Sequence, residues 1–214
     1  MNKEEKIKKI KSISGTSVYR GFTFKYDKVS TYYYVLDNSD KLFLGLKEDD
    51  FQTNGFCIRK IKHIKKIKNV SETVLNISRS LGLPETEKKP DIDLKTWKTA
   101  LESLCERGCL IIVENERKNG FFYIGKVCGL YKNKFEFSPI DADGVWGADI
   151  MIKYSDLTSI TFGDRYSKTW EEYLENGADS FGSTYTENSE EEIEETFSEN
   201  EEITEDIEDK TEEI

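Results

Sequence analysis

Residues 41–67 can be laid over residues 134–160 without a gap, at an offset of 93 positions. Leu42, Leu44, Ile58, Ile61, Ile64 and Ile67 then meet Phe135, Phe137, Met151, Tyr154, Leu157 and Ile160. Asp50 also falls on Asp143, in acidic turns that read Glu48-Asp49-Asp50 and Asp141-Ala142-Asp143-Gly144. A match at fixed offset constrains folding more than composition does, because shared inward-facing positions require two copies of one local architecture.

The type of that architecture follows from its residues. The segments 18–26, 31–36 and 41–46 are rich in Val, Phe and Tyr and are separated by Asp/Lys/Ser or Asp-Asn-Ser-Asp turns, so they predict consecutive antiparallel strands. Residues 58–67 place an isoleucine at every third position, which spacing alone would allow as helix. The second copy argues against that, because Tyr154-Ser155-Asp156 reads as a turn and Ile160-Thr161-Phe162 as a strand. Both copies therefore predict strand, tight turn, strand. The strands expected in the second unit are 110–114, 121–130, 134–139, 149–154 and 158–162. Helices are expected over 3–13, over 71–81 with Ser71 as cap, from Asp93 to Gly108, and over 167–176 between Ser167 and Gly177.

A helix followed by five short strands, with a tight turn before the last, resembles the Sm-like or SH3-like small barrel over residues 15–70 and 108–166. The Gly and Asn pairs that many RNA-binding Sm proteins carry have no counterpart here. The run Thr161-Phe162-Gly163-Asp164-Arg165-Tyr166 also resembles a group of uncharacterised bacterial proteins. The resemblance implies a mainly β, α+β chain of two tandem five-stranded Sm-like/SH3-like small barrels plus a disordered acidic tail. The expected boundaries are 1–83 for the first barrel with its helices, 84–92 for a linker between Pro84 and Pro90, 93–177 for the second, and 178–214 for the tail.

Charge is distributed unevenly. From Glu187 to Ile214, 15 acidic residues against Lys210 alone give −14, so the total of −11 leaves +3 for residues 1–186. Residues 1–70 hold 16 Lys/Arg and 8 Asp/Glu, a net of +8, whereas residues 71–186 hold 14 and 19. Such asymmetry fits an anionic partner, or an acidic segment that covers a basic surface of the same molecule. No segment approaches the roughly 18 apolar residues of a membrane span. The N-terminus mixes charges and lacks the apolar run of a secretory signal, so a cytoplasmic protein with reduced Cys57, Cys105, Cys109 and Cys128 is expected.

The sharpest functional hint is the basic run Arg59, Lys60, Lys62, Lys65, Lys66 and Lys68, with Tyr32, Tyr33, Tyr34 and Phe51 as stacking faces for unpaired bases. The plainer account makes these lysines the solvated face of a half-buried strand and the tyrosines core. Asp141 and Asp143 open a calcium-like loop that lacks its third acid and its closing Glu. With Trp146, a large aromatic in a turn, they form a candidate partner-binding patch instead. Cys105 and Cys109 have no second close pair with which to hold zinc, and the single His63 sits among lysines with no catalytic motif around it. The sequence thus predicts a non-enzymatic binding or adaptor protein with no cofactor and no metal. A protein partner ranks first, because residues 71–186 offer no basic face by charge count. Single-stranded RNA or DNA on the basic first unit, with the acidic tail as intramolecular competitor, ranks second, and a homo-oligomer built by pairing strand edges third.

Overall fold

A computed structural model describes residues 1–85, 87–118 and 121–176 of the chain, so the expected acidic tail and the Gly177 helix exit lie outside the described residues. The helix α1 (Lys3–Ile13) opens on a reciprocal cap: Asn2 accepts from the Glu5 amide while Glu5 accepts from the Asn2 amide, and Ile10 and Ile13 are buried. Five strands follow, β1 (Arg20–Phe24), β2 (Thr31–Asn38), β3 (Leu42–Asp49), β4 (Gln52–Lys60) and β5 (Ile64–Lys68), with one 3₁₀ turn, Ile61–His63, between the last two. The helices α2 (Glu72–Ser80) and α3 (Trp97–Arg107) lead to β6 (Ile111–Glu114), β7 (Phe122–Leu130), β8 (Lys134–Ile140), β9 (Ile150–Lys153) and β10 (Ser159–Phe162), and α4 (Arg165–Asn176) comes last.

The ten strands do not form two separate five-stranded barrels. They make one antiparallel sheet in the order β5-β1-β2-β3-β4-β10-β6-β7-β8-β9, which does not close on itself. The expected division fails at β4. Its outer edge pairs with β10, setting Arg59 opposite Ser159, Ile58 opposite Ile160, Cys57 opposite Thr161 and Phe56 opposite Phe162. Backbone groups on a strand edge must find partners, and each half supplies an edge to the other. One apolar core lies across the seam, joining Leu44, Phe56 and Ile58 of the first half to Trp97, Leu101, Val113, Phe137 and Ile160 of the second. Two further clusters flank it, one around Phe22, Phe24 and Phe43 and one around Leu110, Ile112 and Ile124.

The duplication persists in strand order. In each half the fifth strand lies beside the first and the fourth ends the row on the other side, which for β4 is the seam and for β9 the edge of the sheet. Four matched positions, Leu42/Phe135, Leu44/Phe137, Ile64/Leu157 and Ile67/Ile160, are buried in both copies. Ile58 is fully buried at the seam, whereas its counterpart Met151, on the outermost strand, is 49% exposed. The isoleucine run folds as strand, turn and strand, with Ile58, Ile61, Ile64 and Ile67 all buried.

Two helix starts differ from expectation. Asp93 accepts from the Lys95 amide in a short turn ahead of α3, and Thr96, exchanging hydrogen bonds with Thr99, is the cap. α4 begins at Arg165, because the Asp164 carboxylate accepts from both the amide and the hydroxyl of Ser167. Carboxylates and hydroxyls compete for the same exposed amides, and the sequence does not rank them.

Candidate functional site

The two halves contribute corresponding turns to one place. The β2–β3 and β4–β5 turns of the first half meet the β7–β8 and β9–β10 turns of the second around the start of α3, enclosing a cavity of about 620 Å³. Six lysines line it, Lys3, Lys41, Lys60, Lys62, Lys98 and Lys132, against one acid, Asp40. Asp40 is itself paired with Lys11 at 2.8 Å. Leu42, Ile61, Trp97 and Tyr154 supply apolar and aromatic surface. Like charges gathered at this density repel one another, and an anion relieves that repulsion.

Lys60 is the most perturbed of the six. Its ammonium donates to the Leu157 carbonyl at 2.6 Å and stands 5.4 Å from the centre of the Trp97 ring. Burial, then the neighbouring charges of Lys62 and Arg117, bring its pKa down to about 8, with Asp156 opposing. The Trp97 indole N–H is buried with no acceptor among the described residues. Tyr154 donates to the Tyr131 carbonyl at 3.1 Å and stacks on Phe135 with centroids 5.7 Å apart, which fixes its ring at the cavity wall. The site therefore offers cationic donors and the flat face of the half-buried Tyr154 ring. That chemistry suits holding an anion that carries planar groups.

Arg59, next in the chain to Lys60, points to the opposite face of the sheet. Its guanidinium lies 3.6 Å over the Phe24 ring, is paired with Glu116, and lies 3.6 Å from Asp27. It is 5% exposed and is spoken for by these two acids. Burial pushes the Glu116 carboxyl up against the opposing pull of Arg59, so the network holds two carboxylates around one cation.

The other predicted residues are scattered. Lys62 joins Lys60 at the cavity, whereas Lys65 and Lys66 are exposed on β5, an outer strand. Tyr32 is 39% exposed on β2, but Tyr34 is fully buried in the core and offers no face to a base. His63 is buried against Tyr26, with centroids 5.4 Å apart, and its pKa falls to about 4 through burial and then Lys60, Lys62, Lys25 and Arg117. The Asp141 carboxylate accepts from the amides of Asp143 and Val145, which commits it to its own turn. Asp143 and Trp146 are exposed in the same loop, whose Gly144 lies against Trp170 and Tyr173 of α4. Among the described residues no group of three His, Cys, Asp or Glu side chains is placed to hold a metal ion. No described helix is long and apolar enough to cross a membrane.

Sequence reasoning missed Lys98, Lys132, Trp97 and Tyr154. The repeat carried a signal for Lys132 and Tyr154 alone, because the 93-residue offset sets the β2–β3 turn on the β7–β8 turn and Ile61-Lys62 on Tyr154-Ser155; Trp97 and Lys98 lie outside both copies. Comparison with family models, curated proteins and solved structures finds no match to this chain.

Proposed function

We propose that this chain is a non-enzymatic protein that binds single-stranded nucleic acid in the cavity between its two halves. One observation carries the reading: lysines distant in sequence converge there beside the half-buried ring of Tyr154. Lysines neutralise phosphates, and aromatic faces accept unstacked bases without regard to sequence. A charge count over residues 71–186 ranks a protein partner first, but Lys98 and Lys132 come from that stretch and stand with Lys60 and Lys62. The test is fluorescence anisotropy of a labelled single-stranded oligomer titrated with the full chain at several salt concentrations. Affinity should fall with salt at a log–log slope of roughly −2 to −3, as expected for three or four phosphate contacts. It should be lost on combining Lys62→Glu with Lys98→Glu, and deleting residues 187–214 should tighten binding if the acidic segment competes for the same lysines. Salt-independent binding, or binding untouched by the double substitution, overturns the proposal.

A second reading, a protein partner that is another copy of the chain, has its own observation. β5 and β9 end the sheet, and they are the same two strand positions, fifth and fourth, that pair at the seam. Carrying the seam register over by 93 residues sets Ile67 opposite Met151 and Lys66 opposite Ile152. Met151, at 49% exposure, then occupies the place in which Ile58 is buried. Light scattering over a concentration series should show association that Met151→Glu abolishes; a monomer at every concentration refutes it.

A further inference from the structure

We infer that the cleft beside the β3–β4 hairpin tip is a second binding site, for an alkylammonium cation. The cleft is about 590 Å³, within the range of small-ligand sites, and lies apart from the lysine cavity, with which it shares no lining residue. Its aromatic walls are Tyr19, Tyr32 and Phe51. Tyr19 and Tyr32 stand edge to face, centroids 6.0 Å apart and planes at 83°, so two walls meet near a right angle. The Tyr32 ring is seated against Gly21, where an added Cβ would come within 3.0 Å of it, and 39% of the residue remains exposed.

The charge of the cleft is opposite to that of the lysine cavity. Glu48, Asp49 and Asp50 line it against Lys47 alone, and Lys47 is spent on Asp49 at 3.6 Å. Glu48 is the decisive residue. It is 7% exposed, accepts from the Phe51 amide at 2.8 Å, and forms no ion pair with a cation among the described residues. Burial pushes its carboxyl up, which is the cost of keeping an acid among rings without a counter-charge. Asp50 and Phe51 both adopt positive φ, 48° and 63°, in a two-residue turn where Asp is a common first residue but glycine, not phenylalanine, is usual at the second. This pair contributes an acid and a ring to the cleft. Aromatic faces with a buried carboxylate at their base attract an organic cation: the rings through their quadrupole, the acid through its charge. A lysine side chain of a partner protein and a free quaternary ammonium share this chemistry.

The test is an amide-resolved NMR titration of the full chain with three probes: tetramethylammonium chloride, tert-butanol as its neutral isostere, and a short peptide carrying trimethyllysine. Tetramethylammonium should shift the amides of Tyr32, Glu48 and Phe51, with tert-butanol weaker by roughly tenfold, the cation–π and ionic share of the affinity. Tyr32→Ala should lose binding and Tyr32→Phe keep it, each with a dispersed spectrum. Asp50→Asn, on the exposed tip, should weaken it without touching the fold should Glu48→Gln prove unstable. A peptide bound more tightly than tetramethylammonium assigns the site to a protein partner, and equal affinity assigns it to a small molecule; either supports the site. Equal response to tert-butanol, or no shift at these three amides, overturns it.

Discussion

Arg59 and Lys60 are neighbours on one strand with the same formal charge and opposite situations. Successive residues of a strand face opposite sides of the sheet. Arg59 therefore enters a buried network with Glu116 and Asp27 over the Phe24 ring, while Lys60 reaches the cavity where five more lysines gather. The first charge is consumed by structure, and the second is held in tension, its pKa lowered to about 8. A basic run in a sequence is thus not a basic surface; the pleat divides it.

The contrast can be broken most forcefully at Arg59. Arg59→Met leaves two carboxylates without their cation and should cost about 3–5 kcal/mol in urea unfolding, with part of the loss recovered by adding Glu116→Gln. An unchanged midpoint would mean the network is not structural. At Lys60 the expected effect is on binding. Lys60→Met should weaken oligonucleotide affinity roughly tenfold, the worth of one charged hydrogen bond, while leaving the unfolding midpoint level or slightly higher. Affinity of the unaltered chain should also decline between pH 7 and 9, as Lys60 loses its proton near 8, and the variant should lack that decline. His63 gives a smaller effect. Its pKa is about 4 when folded against an ordinary 6.5, so the unfolded chain binds the extra proton first and stability falls as pH drops from 6.5 to 4. With allowance for solvent screening, His63→Gln should remove about 1–2 kcal/mol of that acid sensitivity, read from unfolding curves at pH 7 and 4.5. Smallest is Lys65→Ser on the exposed outer strand, expected within about 0.5 kcal/mol in stability and neutral in binding.

Strand identity was legible because alternation and the repeat agreed: the isoleucine run, ambiguous alone, was settled by Tyr154-Ser155-Asp156 in the second copy. The single sheet was not legible. The pairing of Ile58 with Ile160 joins residues more than a hundred positions apart through backbone groups that every sequence carries, and nothing in the side chains of β4 announces which edge it will meet. The site was half legible for a related reason. Lys60 and Lys62 stood out as a run, whereas Lys98 is the second residue of a helix whose Trp97 reads as core, and Lys132 sits in a turn, so only the fold brings them together. Tyr34 shares its face of β2 with Tyr32, both packing against Tyr19, but Tyr34 lies further in under the core and keeps no surface, while Tyr33 turns to the opposite core. Position along the strand, which alternation does not give, decides the difference.

The seam between β4 and β10 is only four residue pairs long. A contact of that length between separate molecules would be transient, but a covalent tether raises the effective concentration of one strand at the other and makes the encounter permanent. Fusing two copies of a unit thereby fixes one interface, while β5 and β9, which bear the same pair of strand positions, end the sheet without such a tether.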